Sequence, residues 1–502
     1  MRRRAIVAVV LCAGGCIGLG AVAGAAGAPA QPAVQFGVAD DTGKYADDSG
    51  ASFFADVASL GLKSDRMTVT WDAAHPAAIA DRAFLDRSIV EAAKQGISVR
   101  LAVRPATARA VGNSALRARE FATFVASVAT RYPQVHTFVI GNEPNQPRFW
   151  QPQFTRGKAV AALGYERLLA ASYDALKAVD PSITVVGGVL SSRGNDNPSA
   201  TSNASRSPVR FVQDLGVAYR LSHRTKPLMD EFGFHAYPRS NRDTLARGFD
   251  WPDAGFANLA RVKQALWDAF GGTAQPTVES GLRISIDEVG WQTSIPATAR
   301  DAYTGAETVP VTTDAAQARV YGQLIAAAAC DSSLSSVLFA PFVDESQLEG
   351  FQSGLVRADG TKRPSYDTVE NALASGPRCA GRPVRWSHAT GVIGARALFG
   401  STKTSHWWRQ RVWSFGVRVG EDATYRASIV PASGRGVLSV RQARAAKPVL
   451  STRGYAKAAW TPLVRFPLKR LSPGRYAYMI DLRAAVAPAR QRVLVSHPFV
   501  VH

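Results

Sequence analysis

The sequence predicts a (β/α)8 barrel, or TIM barrel, followed by an all-β, immunoglobulin-like sandwich. Between residues 34 and 377, eight short apolar segments alternate with longer Ala-rich amphipathic segments, which is the rhythm of such a barrel. After residue 380 the pattern changes to short alternating strands with Gly and Pro turns. Because 502 residues exceed the usual limit for one hydrophobic core, two or more domains are expected.

The eight strand candidates of the first region are evenly spread along the chain. They are VQFGVADD, GLKSDRMTVTW, GISVRLAVRP, VHTFVIGNEPN, SITVVGGVL, MDEFGFHAYP, RISIDEVGW and SSVLFAPFVDE. A doubly wound open sheet also alternates strands and helices, but it would be expected to carry a Gly-rich phosphate turn after an early strand. The corresponding segment here, VADDTGKYADDSG, is not a GxGxxG motif, so the barrel is favoured.

Residues 1–30 predict a secretory signal peptide. Three arginines precede a Gly/Ala-rich apolar run, and small-residue cleavage sites follow near Ala25 and Ala30. A retained membrane anchor is the first alternative, but a Gly-rich segment makes a poor spanning helix. Lipid attachment at Cys16 is the second, although AGGC lacks the large apolar residue typical of such sites. We therefore predict a secreted protein, and no later segment is apolar enough to predict a membrane span.

The positive charge of the chain is concentrated in its last part. From Ala380 to His502 there are 21 Lys and Arg residues against three acidic ones, a net +18 of the total of +20. This shift supports a domain boundary, with residues 31–378 assigned to the barrel and 380–502 to the sandwich. Strand candidates of the sandwich include TYRASIVPA, GVLSVRQAR and GRYAYMIDLRAA.

Two cysteines, Cys330 and Cys379, remain after signal cleavage. In an oxidising compartment they either form a disulfide or pack as two unpaired small hydrophobic residues. A disulfide would close a loop of about 50 residues, worth about 3–4 kcal/mol by loop entropy. Neither cysteine has the Cys or His neighbours of a zinc site, so no metal site and no cofactor are predicted.

Polar residues follow four of the predicted strands. In a barrel, such residues lie at the face where active sites form. They are Arg66 on strand 2, Asn142 and Glu143 on strand 4, His235 and Tyr237 on strand 6, and Glu288 on strand 7. The two glutamates are therefore expected to face each other across the barrel mouth. Paired carboxylates suit the cleavage of an acetal, because one can protonate the leaving oxygen while the other attacks the anomeric carbon.

Several motifs resemble those of the clan A retaining glycoside hydrolases, closest to family 39 and then to the cellulase-like family 5. FVIGNEPNQPRFW resembles the acid/base motif of the clan, RISIDEVGW its nucleophile strand and GFHAYP its sixth strand. GLVRADGTKRPSYDTV is similar to the closing segment of such barrels. The resemblance extends from about Gln35 to Leu373 and excludes the basic tail. It implies an enzyme that cleaves O-glycosidic bonds of a poly- or oligosaccharide by double displacement.

The resemblance also implies a role for each site residue. Glu143 would be the general acid/base and Glu288 the nucleophile. Asn142 would bind the sugar 2-hydroxyl. Tyr237 and Arg66 would be neighbours of Glu288, and His235 would be a neighbour of Glu143. Retention would place the carboxylates about 5–5.5 Å apart. A cation and hydroxyl donors suit the nucleophile, whereas the acid must keep its proton until attack.

The sequence departs from the clan pattern at the eighth strand. Where clan members usually present a tryptophan as a floor for the sugar, SSVLFAPFVDE carries Phe339 and Phe342. Trp291 or Trp150 is therefore expected to supply the platform. Asp287 either supports the site or points to the opposite face, and strand alternation favours the opposite face.

Two long loops, residues 191–208 and 292–313, follow strands 5 and 7. We expect them to shape a substrate cleft, the alternative being that both are tolerated surface loops. A non-catalytic carbohydrate-binding protein and a transglycosylase remain alternatives to a hydrolase. The sugar, and endo or exo action, are not fixed by the sequence.

The basic tail holds five of the ten tryptophans, Trp386, Trp407, Trp408, Trp413 and Trp460. One interpretation is an accessory module that binds an anionic cell-surface polymer. The other is an ordinary sandwich packed on the barrel with arginines on a solvated surface. No nucleic-acid partner is expected, since the chain carries no nucleic-acid-binding motif.

Overall fold

The structure, a computed structural model, describes residues 33–399, 413–458, 463–467 and 471–501. The predicted signal peptide, residues 1–30, lies outside the described residues, as do Trp407, Trp408 and Trp460. Within these ranges, every helix is too short or too polar to cross a membrane.

Eight parallel strands close into a barrel, which confirms the predicted fold class. They are β1 Gln35–Val38, β2 Ser64–Trp71, β3 Ser98–Pro105, β4 Thr137–Ile140, β5 Thr184–Ser191, β6 Glu231–His235, β7 Arg283–Val289 and β8 Leu334–Phe339. Each strand pairs with the next, and β1 pairs with β8 to complete the closure. Each of the eight strand candidates of the sequence therefore overlaps a barrel strand.

A helix follows each barrel strand and covers the outside of the sheet. These helices are α1 Ala51–Ser59, α2 Arg82–Lys94, α3 Ala115–Arg131, α4 Ala161–Val179, α5 Pro208–Leu221, α6 Leu259–Phe270, α7 Asp314–Ala328 and α8 Pro364–Ala374. Each helix has an apolar face, as in α3, where Phe121, Val125 and Val128 are fully buried. Side-chain caps begin two helices, with Ser114 accepting from the Arg117 N–H and Thr313 from the Ala316 N–H.

Polar side chains fill part of the barrel interior. Arg100 on β3 donates to the Ser285 hydroxyl on β7 at 3.0 Å, and Ser285 lies 2.8 Å from the Ser336 hydroxyl on β8. All three side chains are buried. This layer joins opposite walls of the barrel beneath the ends of the strands, where the candidate site lies.

The C-terminal region forms two antiparallel sheets around a shared apolar core. Its strands are β9 Arg396–Leu398, β10 Ser414–Arg418, β11 Ala423–Pro431, β12 Leu450–Ala456, β13 Leu463–Arg465, β14 Gly474–Ala484, β15 Gln491–Val495 and β16 Phe499–Val501. The first sheet has the order β9-β10-β13, and the second contains β12-β11-β14-β15 with β16 on β14. Val417, Ile429, Val464 and Ile480, contributed by both sheets, are completely buried between them. A β domain thus follows the barrel, as predicted.

One strand prediction in this region was wrong. GVLSVRQAR contains a short helix, α9 Val440–Ala445, rather than a strand. The Ser439 hydroxyl accepts from the Gln442 N–H while the Gln442 side chain accepts from the Ser439 N–H. This reciprocal capping box satisfies two backbone donors that a helix start would leave unpaired.

A disulfide and a buried ion-pair cluster connect segments at the edge of the barrel. Cys330, just after α7, forms a disulfide with Cys379, beyond α8, so the pairing alternative holds. Buried Arg490 from the β domain pairs with Asp268 on α6 at 2.9 Å and with Glu421 of the β domain. The barrel and the β domain therefore share a buried ionic contact.

Candidate active site

Glu143 projects from a sharply turned segment directly after β4. Gly141 and Glu143 both have positive φ, +86° and +38°, and the second is unusual for a residue with a side chain. The Glu143 N–H donates to the Val189 carbonyl on β5 at 2.9 Å, which holds the turn against the next strand. A strained backbone conformation of this kind is typical of functional positions.

Asn145 fixes the segment that carries Glu143. Its fully buried amide accepts from the Ser191 N–H at 2.9 Å and donates to the carbonyls of Ser191 and Arg206. The two carbonyls belong to the two ends of the loop after β5. That loop is thus anchored at both ends to the segment that carries Glu143.

Glu288 lies at the end of β7 beside Arg66, which is 6% exposed. The Arg66 guanidinium contacts three groups. Its Nη1 lies 2.8 Å from Glu288 Oε1, its Nη2 donates to Asn142 Oδ1 at 2.9 Å, and its Nε lies 2.8 Å from Asp287 Oδ2. Burial would lower the pKa of Arg66, but Asp287 and Glu288 outweigh it and raise this pKa. One cation therefore connects the ends of β4 and β7. Arg66 does so from the third position of β2, Ser64–Trp71, and not from the end of that strand, where it was predicted to lie.

The predicted orientation of Asp287 was wrong. Strand alternation favoured the face opposite to Glu288, yet fully buried Asp287 and Glu288 both contact Arg66. The cause is an irregularity in pairing, because Phe234 of β6 aligns with Ile286 while the next residue, His235, aligns with Glu288. A bulge of this kind interrupts the alternation of side chains along the strand.

His235 lies between the two glutamates. Its Nδ1 is 3.1 Å from Glu143 Oε1 and 3.3 Å from Glu288 Oε2, and the side chain is fully buried. These carboxylate oxygens are therefore separated by no more than the sum of the two distances, about 6.4 Å. Burial would lower the pKa of His235, but Glu288 and Glu143 outweigh it and raise this pKa above 6.5.

Tyr237 supplies a second contact to Glu288. Its hydroxyl donates to Glu288 Oε2 at 3.0 Å, and its ring stacks on Phe351 with the centroids 5.3 Å apart. Burial, together with Glu288 and Glu143, raises the pKa of Tyr237 well above 10. The phenol therefore keeps its proton and remains a donor at neutral pH.

The structure brings six predicted residues together and leaves two apart. Arg66, Asn142, Glu143, His235, Tyr237 and Glu288 form one connected cluster. Trp150 and Trp291 are each 2% exposed, and they pack on the rings of Tyr165 and Tyr321. Neither offers an open ring face, so the structure does not support a platform at these positions. Phe339 and Phe342 are buried as well.

Two residues at the site were not found by sequence reasoning. Half-buried Phe351 lies in the loop after β8, and only its contact with Tyr237 brings it to the site. Arg104 lies at the end of β3 on the same face as Arg100, which points into the barrel. Burial lowers the pKa of Arg104 despite nearby Asp41, with Arg66 lowering it further. Alternation from Arg100 could have identified it.

The side chain of half-buried Arg104 forms no hydrogen bond or ion pair with any residue that the structure describes, and only its backbone is paired, in the β2–β3 ladder. It is thus a cation at the barrel mouth whose donors are available to a ligand. In the same described ranges, no cluster of His, Cys, Asp and Glu side chains is arranged to hold a metal ion.

The loop after β7 is fixed on the same side of the barrel. The Gln292 N–H donates to the Asn241 side chain, and the Asn241 amide donates in turn to the Pro310 carbonyl. Asn241 follows Tyr237 by four residues. Both long loops are therefore bonded to segments that carry site residues.

Neither a protein-family model nor a curated protein sequence matches the chain. Three solved structures illustrate what it is similar to. A family 39 glycoside hydrolase from Bacteroides cellulosilyticus WH2 shares 15% identity over 88% of this chain and 81% of that chain, with a TM-score of 0.48. A monomeric beta-xylosidase from Caulobacter crescentus CB15 shares 14% over 91% and 98%, with a TM-score of 0.43.

A glucosidase from Croceicoccus marinus shares 12% identity over 88% of this chain and 96% of that chain, with a TM-score of 0.47. At these identities and TM-scores the likenesses carry no weight for activity. The fold rests on the closed barrel itself, and the chemistry rests on the geometry of the cluster.

Proposed function

We propose that the protein is a secreted retaining glycosidase that hydrolyses O-glycosidic bonds of a poly- or oligosaccharide. The observation that carries the proposal is that Glu143 and Glu288 both contact His235 Nδ1. Glu143 Oε1 and Glu288 Oε2 are therefore at most about 6.4 Å apart. Retaining pairs are separated by about 5–5.5 Å, and inverting pairs by about 6.5–9.5 Å to admit a water. The upper limit on this one oxygen pair is compatible with the retaining separation.

The surroundings of the two glutamates assign their roles. Arg66 and the Tyr237 hydroxyl contact Glu288, which gives it the cation and the donor that suit a carboxylate nucleophile. Among the described residues, the Glu143 carboxylate contacts neither an arginine nor a tyrosine hydroxyl, and it is hydrogen-bonded to His235. These contacts are the ground on which we assign Glu143 as the acid/base and Glu288 as the nucleophile.

The proposed reaction has two displacements. A Glu288 oxygen attacks the anomeric carbon while Glu143 gives its proton to the departing glycosidic oxygen, which leaves a glycosyl ester on Glu288. Glu143 then takes a proton from water as the water oxygen attacks the same carbon and releases Glu288. The Oδ1 of Asn142 accepts from Arg66, so the amide NH2 of the same side chain can donate to the sugar 2-hydroxyl.

Export and the role of the basic region belong to the same proposal. The leader sequence of residues 1–30 supports secretion, and the net +18 after residue 380 supports attraction to an anionic cell-surface polymer.

The test is reducing-end release by the mature chain from β-glucans, xylans, mannans, galactans and bacterial exopolysaccharides. Glu288→Gln is expected to abolish release, while Glu370→Gln, a glutamate on α8 remote from the cluster, serves as the matched control. Binding without release by the wild type would identify a carbohydrate-binding protein. Glycosyl transfer to an added sugar acceptor would identify a transglycosylase.

Glu143→Gln separates the two roles. On aryl glycosides with good leaving groups it should keep much of the first displacement, because protonation then matters little. On polysaccharide it should be nearly inactive. Equal loss on both substrates would contradict the acid/base assignment, and release of product with inverted anomeric configuration would contradict retention.

A further inference from the structure

A groove separate from the barrel mouth lies where the β domain meets the barrel. Its volume is about 410 Å³, and its walls come from Phe249–Trp251 after β6 and from the β9 and β10 strands. A second cavity of about 350 Å³ adjoins it and shares Trp251, Arg261 and Gly420. We name the two adjoining cavities together the junction groove.

Two arginines of the junction groove oppose each other without a counter-ion. Arg396 on β9 and Arg418 on β10 are direct partners in the antiparallel ladder, and both are exposed. Like charges directly opposite each other are destabilising in a sheet. Over the described parts of the chain, neither arginine forms an ion pair or a hydrogen bond through its side chain. The pair is therefore a cost to the fold unless an anion lies between or above it.

The β domain cannot supply that anion. Its three acidic residues are already engaged, with Glu421 on Arg490, Asp422 on the Tyr455 hydroxyl and Asp481 near Arg444. The sequence from 380 to 502 contains no further Asp or Glu. The compensating charge must come from the barrel or from a ligand.

The barrel compensates only in part. Asp250 lines the groove, but its highly exposed carboxylate lies 3.5 Å from Arg239. Arg261, also in the wall, donates to the backbone carbonyls of Phe249 and Asp253 and remains a third positive charge. The first cavity therefore has three arginines against one carboxylate. The second cavity adds Arg490 with its partners Asp268 and Glu421, so the junction groove as a whole has a net charge of +1.

Aromatic rings accompany these charges. Half-buried Trp251 lines both cavities, and the Arg210 guanidinium lies 5.3 Å from its ring centroid. Half-buried Trp386 lines the second cavity. Indole rings offer flat apolar faces on which a sugar ring can lie, and guanidinium groups match carboxylates in a bidentate manner.

We propose that the junction groove binds a segment of an acidic polysaccharide. The sugar carboxylates would pair with Arg396 and Arg418, and a sugar ring would rest on Trp251. The choice of a saccharide rests on the proposed function, whereas the negative charge of the ligand follows from the unpaired arginines alone. The groove would hold the polymer outside the catalytic cleft and raise its local concentration there.

The experiment is affinity electrophoresis of the mature chain carrying Glu288→Gln, so that no polymer is cut during the run. Polygalacturonate and alginate are the acidic polymers, laminarin is the neutral one, and single-stranded DNA is a non-saccharide polyanion. The acidic polysaccharides should retard the protein, and laminarin should not. Addition of Arg396→Ser with Arg418→Ser should weaken binding at least tenfold.

Arg435→Ser with Arg441→Ser is the matched control. Both are exposed arginines of the β domain outside the junction groove, so net charge falls equally. The control should change affinity by less than twofold, and Trp251→Ala should weaken binding to the saccharides specifically. Equal losses in the two double variants would overturn the proposal in favour of diffuse charge attraction. So would DNA binding as tight as saccharide binding, or no binding to either acidic polymer.

These outcomes are independent of catalysis. Binding is measured with the catalytic glutamate replaced, and turnover is measured with the junction groove intact. If the protein cleaves a neutral polysaccharide but binds neither acidic polymer, the proposed function stands and the junction-groove proposal is wrong.

Discussion

Substitution of Asp287 by Asn should impair catalysis although Asp287 is proposed to touch no substrate. Asp287 is fully buried, and its Oδ2 lies 2.8 Å from the Nε of Arg66. The substitution keeps the shape of the side chain and removes its charge. Arg66 would then keep its contacts with Glu288 and Asn142 but lose the buried negative charge beside its Nε.

Two magnitudes follow from this geometry. Breaking a buried ion pair costs about 3–5 kcal/mol of unfolding free energy, and the lower end applies because Arg66 retains Glu288 as a partner. A displacement of about 1 Å at a reacting group can cost about 10²-fold in rate. We therefore expect Asp287→Asn to lower kcat by about 30–100-fold with a small change in KM, as for a positioning residue.

Asp331→Asn is the matched control for the loss of a buried charge. Asp331 is buried and pairs with buried Lys263 at 2.6 Å, at the opposite end of β8 from the site. It should lose comparable stability in thermal unfolding while kcat and KM stay near wild type. Turnover by Asp287→Asn within twofold of wild type, measured on whichever substrate the enzyme cleaves, would refute the positioning argument.

Four further predictions concern stability, pH and substrate binding. Cys330→Ser should lower the unfolding free energy by about 4 kcal/mol, measured by denaturant titration without reductant, since its disulfide closes a separation of 49 residues. Arg490→Met should cost about 3–5 kcal/mol by leaving two buried carboxylates unpaired, whereas Arg444→Met, on a half-exposed pair, should cost under about 1 kcal/mol in the same titration. Because the pKa of His235 is raised, its stabilising contribution is complete below about pH 6.5 and is lost as pH rises through the folded-state value. The difference in melting temperature between wild type and His235→Asn should therefore shrink above that pH. Arg104→Gln should raise KM about tenfold with little change in kcat, measured by steady-state kinetics, if its free guanidinium binds substrate.

Much of the barrel could be predicted because it follows from local pattern. Each barrel strand is a short apolar run, and each outer helix has one apolar face, so periodicity and length identify both. The glutamates were found for the same reason, since a residue after a barrel strand is placed at the mouth by topology alone. No knowledge of neighbouring strands was needed for either step.

The predictions that the structure does not support concern features that depend on contacts with other strands and helices. The position of Asp287 depends on a pairing irregularity between β6 and β7, which the β7 sequence by itself does not reveal. The burial of Trp150 and Trp291 depends on Tyr165 of α4 and Tyr321 of α7, and the sequence alone does not show how these helices pack on the barrel. In contrast, the helix α9 was signalled locally by its capping box, and the strand assignment overlooked that signal.

Arg66 connects the segment of the proposed acid/base with the strand of the proposed nucleophile. Its Nη1, Nη2 and Nε bind Glu288 of β7, Asn142 after β4 and Asp287 of β7, so the planar guanidinium sets the distance between two strands that are not neighbours. A lysine could supply the charge but not three directions at once. His235 then joins the two carboxylates from the side of β6. The separation on which the proposed double displacement depends is thus held by two side chains that would take no part in bond exchange. Substitutions at these supporting positions should therefore affect both displacements, whereas Glu143→Gln separates them by leaving group.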